Sequence, residues 1–368
     1  MMQNYEKKDT KYFLAFLKIS GIGPLNIQKM LKYFPNLENA WKGNYIDLVS
    51  AGISENLAKE IINQKNTINP DEEINKLFKE EVHALTITDN EYPEDLKQIY
   101  SPPPVLFYKG DLQCLNNNCL AVVGARKNTH YGVSVLEKII PELVLNGLTI
   151  ISGLALGIDG IAHRVCLQNN GKTVAVLGSG LDNANIYPST NKQLAEKIIE
   201  GGGCLLSESA PGTRPSKQSF PLRNRIISGL SLAVLIIEAG ESSGSLITAK
   251  YALEQNRDIY AIPGNIFSAF SKGTNNLIKQ GAKLINCSQD ILDELQIQNI
   301  TQNEQINSEL QVSIEEKEIL KHLSHDSIHI DKLSQLCRIK INALSGILSI
   351  MEIKGLLKDV GGKNFIKN

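Results

Sequence analysis

Residues 232–253, LAVLIIEAGESSGSLITAKYAL, carry the reading that decides the fold. An apolar run from Leu232 to Ile237 stops at Glu238, a turn of Gly and Ser follows, and an amphipathic stretch resumes at Ser245. A near-continuous apolar run of this length reads as a strand buried on both faces. The same order recurs in AVVGARKNTHYG (121–132) and TIISGLALGIDGIAH (149–163). In each copy glycine permits a tight turn and leaves amide groups bare at a helix start. Unpaired N–H groups and the helix macrodipole both favour negative charge there. With Arg126, Arg223 and Arg225 in the same segment, these turns predict a ligand that carries phosphates.

Outward from these turns, strands are expected at Leu120–Val123, Thr149–Ile151, Thr173–Val176, Cys204–Leu206, Ala233–Ile237 and Ile259–Ile262. Helical spacing lies between them, the pattern of a parallel sheet wrapped by helices and hence of an α/β fold. Before them, Val82 to Ile87 suits a strand, and Pro102-Pro103-Pro104 is an extended spacer leading into Val105–Tyr108. The first 80 residues are helical by apolar spacing, with Tyr12, Phe13, Phe16 and Leu17 on one face. Gly21-Ile22-Gly23-Pro24 then reads as a helix–hairpin–helix turn with Pro24 at the first helical position. A weaker copy runs from Val49 to Ile53, with Ser54 as N-cap. Such hairpins can offer amides to DNA phosphates or serve as a packing module, and both readings stay open.

The stretch QIQNITQNEQINSELQ from Gln296 is polar and acidic and reads as a linker. Beyond it, IEEKEILKHL, IDKLSQLC and INALSGILSIMEIKGL form three amphipathic helices, and residues 358–366 a hairpin on Gly361-Gly362. Three helices and a hairpin make a winged helix. Its third helix offers few bases beyond Arg338, Lys340 and Lys354, so protein contact suits it at least as well as DNA reading. The chain therefore divides into a helical 1–80 of helix–hairpin–helix or SAM-like type, an α/β region 81–295, a linker 296–312 and a winged helix 313–368.

At 368 residues the chain is too long for one ordinary domain, and its composition is 42% hydrophobic and 21% charged, as in globular proteins. The longest apolar run falls far short of the ~20 residues that span a bilayer. The N-terminus lacks the apolar core of a signal peptide, so the cytoplasm is the expected compartment. Six scattered cysteines, with no C-x-x-C, disfavour a structural metal or a disulfide framework. The net charge is −1, yet residues 119–287 hold a basic surplus, which tilts the partner toward an anion.

Arg126 follows directly on a strand, where doubly wound sheets hold ligands, and its planar fork suits phosphate. Thr129 is placed to cap the next helix. The amides of 153–155 could cradle a phosphate. Ser152 with Asp159 and His163 invites a hydrolase reading, but no G-x-S-x-G elbow occurs and a helical Asp–His pair suits a structural contact. Phe220 with Arg223, Asn224 and Arg225 is the most basic cluster and suits a phosphodiester chain. Phe220 can stack on a base or plug the core. No G-x-G-x-x-G fingerprint with its distant acid and no Walker A motif occurs, so no nucleotide cofactor is expected.

The middle of the chain resembles the DNA-processing protein A family (DprA, also called Smf). The resemblance rests on VVGARKNTHYG (122–132), SGLALGIDGIAH (152–163), TVAVLGSGLDNANIYPSTNKQL (173–194), LLSESAPGTRPSKQSFPLRNRIISGLS (205–231), EAGESSGSLITAKYALEQNRDIYAIPG (238–264) and GTNNLIKQGA (273–282). It implies an extended Rossmann-like domain flanked by the N-terminal helices and the winged helix. It further implies a homodimer that binds single-stranded DNA and loads the recombinase RecA in natural transformation, with no enzymatic activity. By motif, the DNA-holding positions are Arg126, Ser152, Gly153, Leu154, Arg223, Arg225, Gly244 and Ser245, joined by Phe220 and Asn224 of the basic cluster. Some relatives carry a base just after the Tyr-Pro step, whereas here Ser189 follows Pro188 and Lys192 is the nearest base. The rival reading is a nucleoside-monophosphate phosphoribohydrolase, whose similar loop carries a catalytic glutamate. Aligned on Gly244-Ser245, that position is Thr248, which cannot act as a carboxylate. A helix–hairpin–helix and winged-helix regulator would want a more basic recognition helix.

Overall fold

The computed structural model describes residues 9–297, 313–323, 327–337, 339–353 and 356–367. They fall into two compact units that divide near residue 298, each described by itself below. The first opens with six helices: α1 (Thr10–Lys18), α2 (Pro24–Tyr33), α3 (Leu37–Lys42), α4 (Tyr45–Ser50), α5 (Glu55–Gln64) and α6 (Pro70–Lys79). Pro24 stands at the start of α2 as expected, and Ser54 holds the cap position of α5 without giving its side chain to the helix. Phe13, Phe16, Ile27 and Met30 are fully buried, and they share one core with Val105, Phe107 and Leu205 of the sheet. Packing is thus continuous across residue 80.

The sheet has nine strands: β1 (His83–Thr86), β2 (Val105–Gly110), β3 (Cys119–Val123), β4 (Thr149–Ser152), β5 (Thr173–Leu177), β6 (Cys204–Ser207), β7 (Ala233–Ile236), β8 (Asp258–Ala261) and β9 (Lys283–Leu284). Their order is β1-β2-β6-β5-β4-β3-β7-β8-β9. From β6 to β9 all neighbours are parallel, while β2 is antiparallel to both β1 and β6. The connecting helices are α7 (Glu94–Lys97), α8 (His130–Leu145), α9 (Ile158–Gln168), α10 (Lys192–Glu200), α11 (Ser219–Gly229), α12 (Ser245–Glu254), α13 (Lys272–Lys279) and α14 (Ser288–Glu294). Every residue of β3, β4, β5, β6 and β7 is buried, which is why their sequences show apolar runs instead of alternation. Leu120 and Val122 pack under α8 and α9, with Leu136, Ile140 and Ala162. Ala121 and Val123 face the other way, toward Ile226, Ile227 and Ala249 of α11 and α12.

The chain leaves β3 toward β4, β5 and β6, then returns to lay β7 on the other side of β3, with Val123 opposite Ile236. The carboxyl ends of β3 and β7 therefore diverge into connections on opposite sides, the switch point where open α/β sheets hold ligands. Gly157 makes the turn into α9 possible. It adopts φ +77°, and a Cβ there would stand 2.3 Å from the Ala125 carbonyl oxygen.

The second unit contains helices Ile314–His322, Ile330–Cys337 and Ile341–Ile353 and a small sheet of order β10-β12-β11, from β10 (Ile328–His329), β11 (Leu357–Gly361) and β12 (Asn364–Lys367). Ile319, Leu333, Leu344, Leu348, Met351 and Phe365 form its core. The expected three helices and hairpin are present, with β10 added to make the winged-helix sheet. Ser313 and Glu316 close a reciprocal capping box at its first helix. Most of the expected linker, 298–312, and the bases Arg338 and Lys354 lie outside the described residues.

Candidate functional site

A crevice of about 820 Å³ opens at the switch point, between the turn after β3 and the turn after β7. Arg126, Phe220, Arg223, Asn224, Gly244 and Ser245 all line it, so residues from three separate motifs converge on one place. Arg126 is exposed and lies over the Phe220 ring, its Cζ 5.5 Å from the ring centroid. Among the described residues its guanidinium has no hydrogen-bond or ion-pair partner in the protein. Phe220 in turn lies against Tyr187, with ring centroids 5.4 Å apart. A cation over an aromatic ring keeps its hydrogen-bond donors in its own plane and available to a phosphate.

Two of the three expected anion-binding turns already hold an anion supplied by the chain. At the start of α8, buried Glu238 accepts from the Thr129 amide at 2.9 Å and from the Thr129 hydroxyl at 2.5 Å. Thr129 thus stands at the cap position but gives its hydroxyl to Glu238 instead of to the helix. At the turn after β4, the Gly153 amide donates to Asp159 Oδ2 at 3.2 Å. The amides of Gly124 and Ala155 also bond this carboxylate. The expected phosphate cradle at 153–155 is therefore corrected, because Asp159 occupies it. Burial pushes the Asp159 carboxyl up, while Arg223 and the three amides oppose the shift. The turn into α12 differs, since no carboxylate among the described residues caps it. Ser243 and Ser245 bond each other through their hydroxyls at 2.8 Å, and Asn224 Nδ2 reaches the Gly244 carbonyl at 3.4 Å.

Arg223 is buried and serves the architecture. Its Nη1 donates to the carbonyls of Gly153, at 2.6 Å, and of Val176. Burial lowers its pKa to about 10, which leaves it charged at neutral pH. It adds positive potential beneath the crevice while its hydrogens tie β4 to β5. Arg225 does not join the crevice lining. Both Glu208 carboxylate oxygens accept from its Nη2, at 2.7 and 2.8 Å, and side-chain direction on α11 separates it from Arg223 two residues earlier. Ser152 and Leu154 are fully buried, with the Ser152 hydroxyl donated to the Val122 carbonyl at 2.6 Å, and Lys192 does not line the crevice. Of that turn Gly153, Ala155 and Leu156 line a small recess beside Arg126 and Tyr187, and Ala155 also lines the crevice.

Sequence reasoning missed Lys127, Tyr187 and Lys217, which also line the crevice. Lys217 sits three residues before Phe220, close enough to have been counted with the basic cluster. Tyr187 gave no such signal, because an aromatic residue before a proline reads equally well as core. Asp159 and His163 do not pair. Asp159 turns to the amides above, and His163 Nδ1 meets Thr173 Oγ1 at 2.7 Å. Thr248 is 1% exposed and lines the crevice, and Asp159 is the sole carboxylate in that lining among the described residues. No group of three or more metal-ligating side chains occurs among the described residues, and no helix there is long and apolar enough to cross a membrane.

Fold and crevice together define a Rossmann-like α/β protein with a basic cleft at its switch point. Residues 83–296 match the family of DNA recombination-mediator protein A, and residues 307–363 match the DprA winged helix domain. The chain belongs to the DprA/Smf family. It is 43% identical to Protein Smf of Synechocystis over 77% of this chain and 72% of that one. It is 42% identical to DNA processing protein DprA of Streptococcus pneumoniae over 78% and 99%. The crystal structure of the pneumococcal protein superposes with a TM-score of 0.69, covering 77% of this chain and 98% of that one at 40% identity. A structure describing the single-stranded DNA binding mode of DNA processing protein A from Helicobacter pylori covers 58% and 95% at 31% identity, with a TM-score of 0.53.

Proposed function

We propose that this chain is a non-enzymatic, cytoplasmic recombination mediator that holds single-stranded DNA in the switch-point crevice and delivers it to RecA. The observation that carries the reading is the uncommitted Arg126 guanidinium on Phe220, at the mouth of a crevice where two of the three anion-binding turns are filled internally and the turn at Gly244-Ser245 is left to a ligand. Exposed Lys127 and Lys217 extend the positive surface along the path a phosphodiester backbone would follow. Unstacked bases suit the tilted Tyr187–Phe220 pair, which a duplex would keep from reaching them. The relative from Helicobacter pylori supports the choice of single strands. RecA delivery and action in transformation rest on family membership. A homodimer fits the open edge strand β9, where Leu253 and Leu284 expose apolar surface that a second copy could cover.

Fluorescence anisotropy with single-stranded and duplex oligonucleotides across a salt series tests the binding reading. Single strands should bind well and duplex poorly. The logarithm of affinity should fall with log salt at a slope of about −0.7 per phosphate engaged. Equal affinity for duplex, or a flat salt response, would sink the proposal.

A further inference from the structure

The loop between β8 and α13 contributes Ala269 and Phe270 to the crevice, yet its tip points none of its apolar surface inward. Phe267 is 90% exposed and Ile266 76%. A flexible loop would leave such a residue without meaning, but this loop is pinned at both ends and underneath. Asn275 binds the Gly264 amide at 3.1 Å and its carbonyl at 3.0 Å. Asn265 Oδ1 accepts from the Phe267 amide at 2.9 Å, and Ser268 Oγ from the Phe270 amide at 3.2 Å. The Phe270 carbonyl accepts from the Ala239 amide at 2.8 Å, and the Ala239 carbonyl from the Gly273 amide at 2.8 Å, which fastens the loop to the turn that leads to Gly244. A rigid backbone therefore presents an aromatic ring to solvent beside the crevice.

Phe267 leaves the sheet from β8, whereas the Tyr187 loop leaves it from β5, on the other side of the switch point. Four inter-strand steps of about 4.8 Å, roughly 19 Å in all, separate β5 from β8 within the sheet. A polynucleotide held at Arg126 and running over the Gly244 turn meets one aromatic platform at each end. We infer that Phe267 stacks on a nucleobase of the same bound strand, downstream of the Arg126 contact, and sets the length of strand the site prefers. Stacking is sequence-tolerant because every base has a π-face, so the contact adds affinity without base preference. This inference rests on the single-strand reading above and deepens it.

The full-length protein is titrated with fluorescein-labelled oligothymidylates of 3 and 20 nucleotides. Phe267→Ala should weaken binding of the 20-mer by about five- to a hundred-fold, the range that base–aromatic stacks carry. The 3-mer, too short to reach from Arg126 to Phe267, should bind as it does to the unaltered protein, and Phe267→Trp should keep 20-mer affinity where Phe267→Leu does not. Melting should be unchanged in all three, since the side chain is 90% exposed. Unchanged 20-mer affinity in Phe267→Ala, with binding still lost in Arg126→Ala, overturns the Phe267 contact and leaves the crevice reading intact. A change of oligomeric state with unchanged DNA affinity overturns it in favour of a protein contact. Failure of the unaltered protein to bind either oligonucleotide overturns both.

Discussion

The backbone of Gly153 and the guanidinium of Arg223 are packed so closely that a Cβ on Gly153 would stand 2.3 Å from Nη1. This contact lets one buried cation donate to the ends of β4 and β5 at once. It also places positive charge beside Asp159, which takes the amides of the same turn. Gly153→Ala should therefore destabilise the protein by about 1–3 kcal/mol, the usual cost of overpacking a filled site. Urea denaturation measures it, and an unchanged midpoint would mean that Arg223 can move aside freely.

Two arginines expected at the site from sequence, Arg126 and Arg225, should separate by phenotype. Arg126→Ala should leave melting unchanged and weaken single-strand binding by about 1.5–3 kcal/mol, the range for a charge-assisted hydrogen bond. Arg225→Ala should do the reverse, costing about 2–3 kcal/mol of stability because Glu208 loses the Nη2 donor its two oxygens share, in a largely buried setting. Paired melting and anisotropy measurements decide it. Loss of DNA binding in a stably folded Arg225→Ala would return that residue to the interface.

His163 makes the fold sensitive to acid. The Thr173 hydroxyl donates to the Ile150 carbonyl at 2.7 Å, so its oxygen accepts from His163 Nδ1–H, and Nε2 is left buried with no partner among the described residues. Protonation would add an N–H with no acceptor, and burial accordingly lowers the pKa to about 3. A folded-state pKa below the unfolded value means stability is complete above about pH 6.5 and is lost as pH falls toward 3. Between pH 6.5 and 5, His163→Asn should show a shallower dependence, by up to about 1.4 kcal/mol per pH unit. Parallel slopes for the two proteins would show that the imidazole is protonated in the fold.

Nucleotide hydrolysis should be absent. Incubation with AMP or CMP should release no free base, because Thr248 stands where the phosphoribohydrolases carry a glutamate and Asp159 is buried against three amides. General acid–base catalysis supplies ~10²–10⁴ in rate, so turnover should stay near background. Thr248→Glu should not create activity. Robust hydrolysis by the unaltered protein, abolished by Arg126→Ala, would make this an enzyme of nucleotide salvage.

Much of this architecture was legible from residues alone, because burial on both faces leaves a mark that survives in one dimension. The runs at 119–123 and 233–236, and the Ile150-Ile151 pair in β4, are apolar since each residue must pack under one helix layer or the other. Pro24 and the glycines of the turns were equally readable, because backbone geometry admits few alternatives at those places. Arg126 was readable for a related reason: a cation directly after a strand has only the ligand side of the sheet to occupy.

Which charged groups pair with each other was decided in three dimensions. Arg223 and Arg225 look alike in sequence, yet one ties two strand ends and the other binds Glu208. The bare-looking amides after β3 and β4 are met by Glu238 and Asp159, one 109 positions away from its partner and one six. Sequence determines which residues must be inside and where the chain turns, since those follow from local pattern and the hydrophobic effect. The identity of each partner depends on distances of a few ångströms between remote segments, and only the folded sheet sets those distances.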